Sequence, residues 1–269
     1  MAQTVAVLGT GKIGEALLSG MIRAGWRPAD LLVTTRRAER AEELRNRYGV
    51  DSVGNAEAAA RADILILAVK PQDMGRLLDE LAGHLAPGRL VISAAAGITT
   101  AFIEDRLAAD TPVVRVMPNT PVLVDEGMSV ISAGSHATAE HLAATEAIFG
   151  GVGKTLRVPE SQQDAATALS GSGPAYFYFL VEAMTDAGIL LGLPRAQAHE
   201  LIVQAAIGAA VMLRDSGEHP VKLREAVTSP AGTTISAIRE LENHGVRAAL
   251  IAALEAARDR SRELASGNG

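Results

Sequence analysis

The turn Ser229-Pro-Ala-Gly-Thr-Thr234 gathers residue types that can hold a small anion. Pro and Gly interrupt one helical stretch. Two hydroxyl residues open the next, where the first backbone N–H groups of a helix lack intrahelical acceptors. Such a turn presents several donors, and the positive end of a helix, to a carboxylate. Taken alone, it reads equally well as a capped helix start. A second place of this kind is Gly9-Thr-Gly-Lys-Ile-Gly14, which follows an apolar run at 5–8 and opens a helical pattern. In that setting the GxGxxG spacing signifies dinucleotide binding. Gly9 permits a tight turn, Gly11 lets the main chain approach a pyrophosphate, and Gly14 lets helix and strand pack closely, with Lys12 and Ile13 between them.

The next strand candidate ends in Thr34-Thr-Arg-Arg37, about 20 residues past the glycines, where an NAD site ordinarily places Asp or Glu for the ribose 2′-hydroxyl. Hydroxyls and two arginines stand there instead, and a guanidinium suits the additional phosphate of NADP. NADPH is therefore expected in preference to NADH, with Thr35 and Arg36 as contacts. Ala68-Val-Lys-Pro71 and Met117-Pro-Asn-Thr-Pro121 follow two further strand candidates at the edge of the sheet where ligands bind. Lys70 alone would be an ordinary solvated lysine. The two prolines of the second loop remove backbone donors and stiffen it, so Met117, Pro118 and Asn119 can hold a nicotinamide ring; alone, the loop reads as a stiff connector.

These segments, with Ala168-Leu-Ser-Gly-Ser-Gly-Pro-Ala-Tyr176 and Leu223–Glu242, occur in an order that resembles the delta-1-pyrroline-5-carboxylate reductases, over nearly the whole chain. Members of that family make proline by reducing a cyclic imine with a nicotinamide cofactor. The resemblance implies that Thr234 hydrogen-bonds the ring nitrogen as the catalytic residue. Ser229 and the N–H groups of Gly232 and Thr233 would take the substrate carboxylate. Asn55 matches an asparagine near the adenine ribose, and Ser170–Pro174 a hinge into a helical domain. It also implies a homodimer formed by interleaved C-terminal helices, with rings of dimers as the larger assembly. Ile13 replaces a frequent methionine. Ala231 stands where glycine is frequent, so a backbone conformation restricted to glycine is not expected there.

The reaction asks little of side chains. A protonated C=N accepts hydride readily, so alignment and exclusion of water are the main tasks. Dehydrogenases that reduce carbonyls need a Lys or His acid, whereas the helical half here holds a single lysine, Lys222, and its histidines His199, His219 and His244 fall at polar or loop positions. This disfavours a β-hydroxyacid dehydrogenase. A reductase of six-membered imines, and an NADP(H)-sensing regulator without turnover, are the remaining alternatives.

The elements that must position these residues follow from patterning. Continuous apolar runs at 5–8, 31–34, 64–69, 90–94, 113–117 and 128–132 predict parallel strands covered on both faces, with a last strand at 155–158. Helical patterns at 14–24, 38–48 and 74–84 lie between them. The first half is thus an α/β doubly wound, Rossmann-type sheet. After about Pro159 only helices are predicted, at 174–191, 194–214, 220–228, 233–242 and 246–264. Residues 1–159 are expected to form the NADP-binding domain, and 160–269 an all-α domain for substrate and dimerisation.

The run at 201–213 is apolar nearly all round, which predicts burial on several sides, against a second subunit in preference to the centre of a monomeric bundle. The 269 residues are 48% apolar and carry a net charge of −6, which argues against nucleic acid as partner. With no cysteine, disulfides, thiolate metal sites and cysteine nucleophiles are excluded, and no metal site is expected. The N-terminus lacks the pattern of a secretory signal, and no uninterrupted apolar run reaches the roughly 20 residues of a membrane span. A cytoplasmic chain without membrane contact is expected.

Overall fold

Val5–Leu8 (β1), Leu31–Thr34 (β2), Ile64–Leu67 (β4) and Leu90–Ser93 (β5) are buried at every residue. Alternation within each strand sends side chains to opposite faces. Val5 and Val7 join one apolar cluster, with Leu17, Leu18 and Phe149, while Ala6 and Leu8 join the other, with Leu77 and Leu78. Both faces are therefore covered, as a doubly wound sheet requires. The computed structural model describes residues 3–265.

Eight strands form one sheet in the order β3-β2-β1-β4-β5-β6-β7-β8. The remaining strands are Asp51–Ser52 (β3), Val113–Pro118 (β6), Gly127–Ala133 (β7) and Gly153–Arg157 (β8). Helices Lys12–Arg23 (α1), Ala38–Tyr48 (α2), Asn55–Arg61 (α3), Met74–Leu81 (α4), Thr100–Glu104 (α5) and Ala139–Phe149 (α6) connect them. Chain order reverses direction between β1 and β4, so the turns that follow these two strands diverge and leave a crevice at their carboxyl ends.

One expectation is corrected. β7 runs antiparallel to β6, with Val116 opposite Ile131, and β8 is parallel to β7. Only residues 119–126 join β6 to β7, largely as a 3-10 turn, which is too short for the crossover that parallel pairing needs. The two-residue β3 gave no detectable apolar run.

Beyond β8 the chain is helical: Gln163–Ala166 (α7), a π-helical turn at Thr167–Gly171, then Gly173–Leu190 (α8), Arg195–Ser216 (α9), Pro220–Ala226 (α10), Thr233–Asn243 (α11) and Val246–Ala265 (α12). By contacts the chain forms two units. One comprises the residues up to Ser172 with those from Ala257 onward; the other is Gly173–Ala256. The last turns of α12 belong to the first unit, where the Ser261 hydroxyl donates to Asp164 at 2.7 Å.

Within the second unit, α9 keeps apolar side chains in the open, with Leu201 61% and Met212 56% exposed. At 22 residues and a mean hydropathy of 1.3 over its most apolar window, it meets the length and composition of a membrane span, although its longest apolar run is shorter. Gln204 and Gly208 break the run, while the Ala, Ile, Leu, Val and Met around them keep the average high.

Candidate functional site

A cleft of about 610 Å³ lies in the first unit, at the crevice between the turns after β1 and β4. Its glycines behave as the motif demands. Gly9 has φ +94°, and a Cβ there would lie 2.8 Å from Val69 Cγ1 and 2.9 Å from Val69 N. A Cβ on Gly14 would collide with the carbonyl oxygen of Gly9, so helix and strand approach as closely as backbone allows. Beside Gly11 the space is open, leaving room for a ligand against the main chain. The turn is tied to β2, because Gly9 N–H donates to Thr34 O at 3.3 Å and the Thr10 hydroxyl to the same oxygen at 3.4 Å. α1 starts with no side chain capping it, so its first N–H groups remain free for phosphate oxygens. The residues present thus fit a dinucleotide.

Gly9, Gly11, Thr35, Arg36, Asn55, Ala68, Val69 and Lys70 all line this cleft. Lys12, Ile13, Gly14 and Pro71 do not line it; Lys12 is exposed, and Ile13 packs against the core. Asn55 is the first residue of α3 rather than part of a preceding loop, and its amide donates to Glu80 Oε2 at 2.7 Å. Arg36 is 74% exposed and approaches Asp73 Oδ2 at 3.4 Å. No acid replaces the missing carboxylate at the end of β2 itself.

Four charged cleft residues escaped sequence reasoning: Arg40, Asp73, Arg76 and Glu80. Arg40 is bound by Glu15 and, at 2.7 Å, by Glu43. Burial works to raise the Glu15 pKa. Hydrogen bonds from Arg40 and Tyr48, with the charges of Arg40 and Arg47, outweigh it and hold that carboxyl below its ordinary value. Arg40 is therefore neutralised and fastens α2 to α1. Asp73, Arg76 and Glu80 follow β4 in sequence and come beside the β2 end only through the strand order. The signal that could have found them is topological, since β1 must lie between β2 and β4 in a doubly wound sheet.

The loop after β6 is rigid for a reason beyond its prolines. Asn119 Oδ1 accepts from Met128 N at 2.9 Å, and its amide nitrogen donates to Ser170 O at 3.1 Å. The asparagine thus fastens the ends of β6 and β7 to the π-helical turn. A Cβ on Gly171 would lie 2.9 Å from Met117 Cε, so that turn packs directly on the methionine. Met117 itself is half-buried and Pro118 buried.

In the second unit, Pro230 and Ala231 form a tight turn in which Gly232 N–H donates to Ser229 O at 3.1 Å. Pro before a residue of positive φ is the pattern of a type II turn. Ala231 has φ +57°, which corrects the expectation drawn from its alanine: the position is left-handed, at a cost of about 1–2 kcal/mol for a side chain. The Gly232 N–H, expected among the carboxylate donors, closes this turn instead. A Cβ on Gly232 would strike the Ser229 hydroxyl, so the glycine is what lets that hydroxyl stand over the turn. α11 begins immediately after, at Thr233, with no side-chain cap. The N–H groups of Thr233 and Thr234 therefore have no intrahelical acceptor. Thr234 is half-buried and Ser229 exposed.

Three of the four candidate acids are otherwise engaged. Lys222 pairs with Glu218 at 3.0 Å, His219 Nδ1 accepts from Val221 N at 3.3 Å, and His244 Nδ1 lies 2.9 Å from Glu240 O. Among the described residues no three His, Asp or Glu side chains converge as metal ligands.

Known proteins resemble the chain in both units. Residues 160–264 match the family model described as pyrroline-5-carboxylate reductase dimerisation, and residues 4–97 match that of NADP oxidoreductase, coenzyme F420-dependent. A pyrroline-5-carboxylate reductase of Corynebacterium melassecola is 48% identical, covering 97% of this chain and 98% of its own. The structure of a pyrroline-5-carboxylate reductase from Coxiella burnetii superposes with a TM-score of 0.94 at 36% identity, covering 98% of this chain and 99% of the other. That of the Plasmodium falciparum pyrroline carboxylate reductase, with NADP bound, superposes with a TM-score of 0.87 at 28% identity, covering 98% of each.

Proposed function

The chain belongs to the pyrroline-5-carboxylate reductase family, and we propose NADPH, in preference to NADH, as the cofactor with which it reduces the C=N bond of 1-pyrroline-5-carboxylate to L-proline, the last step of proline biosynthesis. The observation that carries the cofactor reading is Arg36, which stands in the cleft at the end of β2 where an NAD site would hold an acid. The relative crystallised with NADP supports it.

In this reading Gly9, Gly11 and the start of α1 hold the pyrophosphate, Thr35 and Arg36 the 2′-phosphate, and Asn55 and Lys70 the adenosine half. Met117 and Pro118 steady the nicotinamide, with Asn119 acting through the turn it fastens. When bound, the reduced cofactor supplies a hydride. The chain's own groups bind and orient the other reactant. The Ser229 hydroxyl and the N–H groups of Thr233 and Thr234 take the carboxylate at the positive end of α11, and Gly232 keeps the turn open. The Thr234 hydroxyl faces the ring nitrogen. It is too weak an acid to protonate the imine at neutral pH, so it orients the iminium. This accords with the engaged state of Lys222, His219 and His244, because iminium reduction leaves no alkoxide to protonate.

Replacing Arg36 by alanine is expected to lower the NADPH-to-NADH ratio of kcat/KM by about 10-fold or more, the size of a lost charge-assisted hydrogen bond. Steady-state kinetics with both cofactors check this, and an unchanged ratio would remove Arg36 from the site.

The exposed apolar side chains of α9 lie within the segment matched as a dimerisation domain, so the chain oligomerises. We read the assembly as a cytoplasmic homodimer through the C-terminal helices, with rings of dimers as its larger form. A protein partner, rather than a bilayer, covers α9. Sedimentation in detergent-free buffer is expected to give twice the 27.9 kDa chain mass or a larger even multiple. A stable monomer would overturn this reading.

A further inference from the structure

We infer that Arg76 is a second determinant of cofactor specificity, which grips the 2′-phosphate together with Arg36. The inference rests on the NADPH reading above. Arg36 and Arg76 come from different walls of the cleft, the turn after β2 and the first turn of α4. Both reach the same carboxylate. Arg36 Nη2 lies 3.4 Å from Asp73 Oδ2, and Arg76 Nη2 lies 3.4 Å from Asp73 Oδ1. Two like charges are thereby directed to one point, with a single negative charge between them.

Both arginines are largely exposed, Arg76 at 64%, while Asp73 is mostly covered. Contacts of this length between exposed groups contribute little to folding. Their effect is to limit where two long side chains go, which lowers the ordering cost when an anion arrives. A phosphate monoester carries close to two negative charges at neutral pH and accepts forked bonds from guanidinium groups. It therefore balances the pair where Asp73 alone does not. A ribose 2′-hydroxyl has no charge to match this arrangement.

The other arginines of the cleft fit less well. Arg40 is held by Glu15 and Glu43 and is 14% exposed, so its charge is already matched. Arg37 has no tie to Asp73, and its N–H donates to the Thr35 hydroxyl. Arg76 Nε also lies 3.9 Å from Glu80 Oε1, one turn along the same helix. A purely structural role for Arg76 would therefore be a helix-surface pair, and it would leave ligand discrimination unaltered.

The test is calorimetric binding of adenosine 2′,5′-bisphosphate and of adenosine 5′-monophosphate to the full-length protein, which separates the 2′-phosphate from catalysis. Wild type is expected to prefer the bisphosphate. Arg76→Ala should weaken the bisphosphate about 5- to 20-fold and change the monophosphate less than twofold. Arg76→Lys, which keeps the charge but loses the fork, should fall between the two. If wild type prefers the bisphosphate and Arg76→Ala retains that preference, the inference is overturned while the NADPH reading stands. If wild type shows no preference, the NADPH reading fails, and the role of Arg76 with it.

Discussion

Replacing Glu160 by alanine is expected to lower the free energy of unfolding by about 3–5 kcal/mol, because it strands a buried charge. The side chain of Arg115 on β6 is 4% exposed, and its Nη1 donates to Glu160 Oε1 at 3.1 Å. The same carboxylate accepts from Thr100 N at 2.9 Å and from the Thr100 hydroxyl at 2.6 Å, so it also fastens the start of α5. Glu160 itself is 27% exposed, which places the effect at the lower end of the range. Arg115 Nη2 is already buried without a protein partner, so the guanidinium leans on this one carboxylate. Arg115 pairs across the sheet with Ser132, whose hydroxyl accepts from Gln163 Nε2 at 2.8 Å. The node therefore lies on the strand that carries Met117 and Pro118 at its end. Urea unfolding of Glu160→Ala beside the double variant Arg115→Met, Glu160→Leu would check the argument. The double variant is expected to recover most of the loss, since removing both charges leaves nothing uncompensated. A loss below about 1 kcal/mol in the single variant would show that water reaches the guanidinium.

Local chemistry makes much of this fold legible in the sequence. The glycine motif announces both the turn and the helix that follows it, because Gly9 and Gly14 answer to backbone constraints that a side chain could not meet, while Gly11 leaves open space against the main chain. The helices of the second half were legible through Pro and Gly punctuation, as at Pro220, which occupies the first turn of α10. The antiparallel direction of β7 is not legible from its apolar run, although its cause is local. Residues 119–126 are too few for a crossover, yet apolar runs carry no sign of direction. Non-local partners were illegible. Nothing in the sequence near Arg36 mentions Asp73 or Arg76, which reach it through strand order alone. Asn119 had a candidate role toward a ligand, and only the fold shows its amide bonded to Met128 and Ser170. At Ala231 the residue type points away from the conformation found. Residue type alone does not limit conformation there: a Pro at the preceding position and the Gly232-to-Ser229 hydrogen bond impose a left-handed φ that alanine tolerates.

Thr234→Ala is expected to reduce kcat by about 10–100-fold, the range of a positioned hydrogen bond to the reacting group. The threonine is the second residue of α11, so its backbone is fixed by the helix while its hydroxyl has no protein partner among the described residues. The substitution should therefore leave folding almost untouched, and circular dichroism melts of the two proteins should overlay within about 1 °C per few tenths of a kcal/mol. Because the carboxylate is assigned to Ser229 and to backbone N–H groups, KM for the imine should move much less than kcat, and Ser229→Ala should show the reverse split. Thr234→Ser keeps the hydroxyl and should retain most of the activity, whereas Thr234→Val keeps the shape and should not. The signature of orientation, as opposed to proton donation, is a loss that stays constant with pH. A true acid would give a deficit that grows as the free imine replaces the iminium. A loss of less than about twofold in Thr234→Ala would remove the hydroxyl from the mechanism and leave the turn a site for the carboxylate alone.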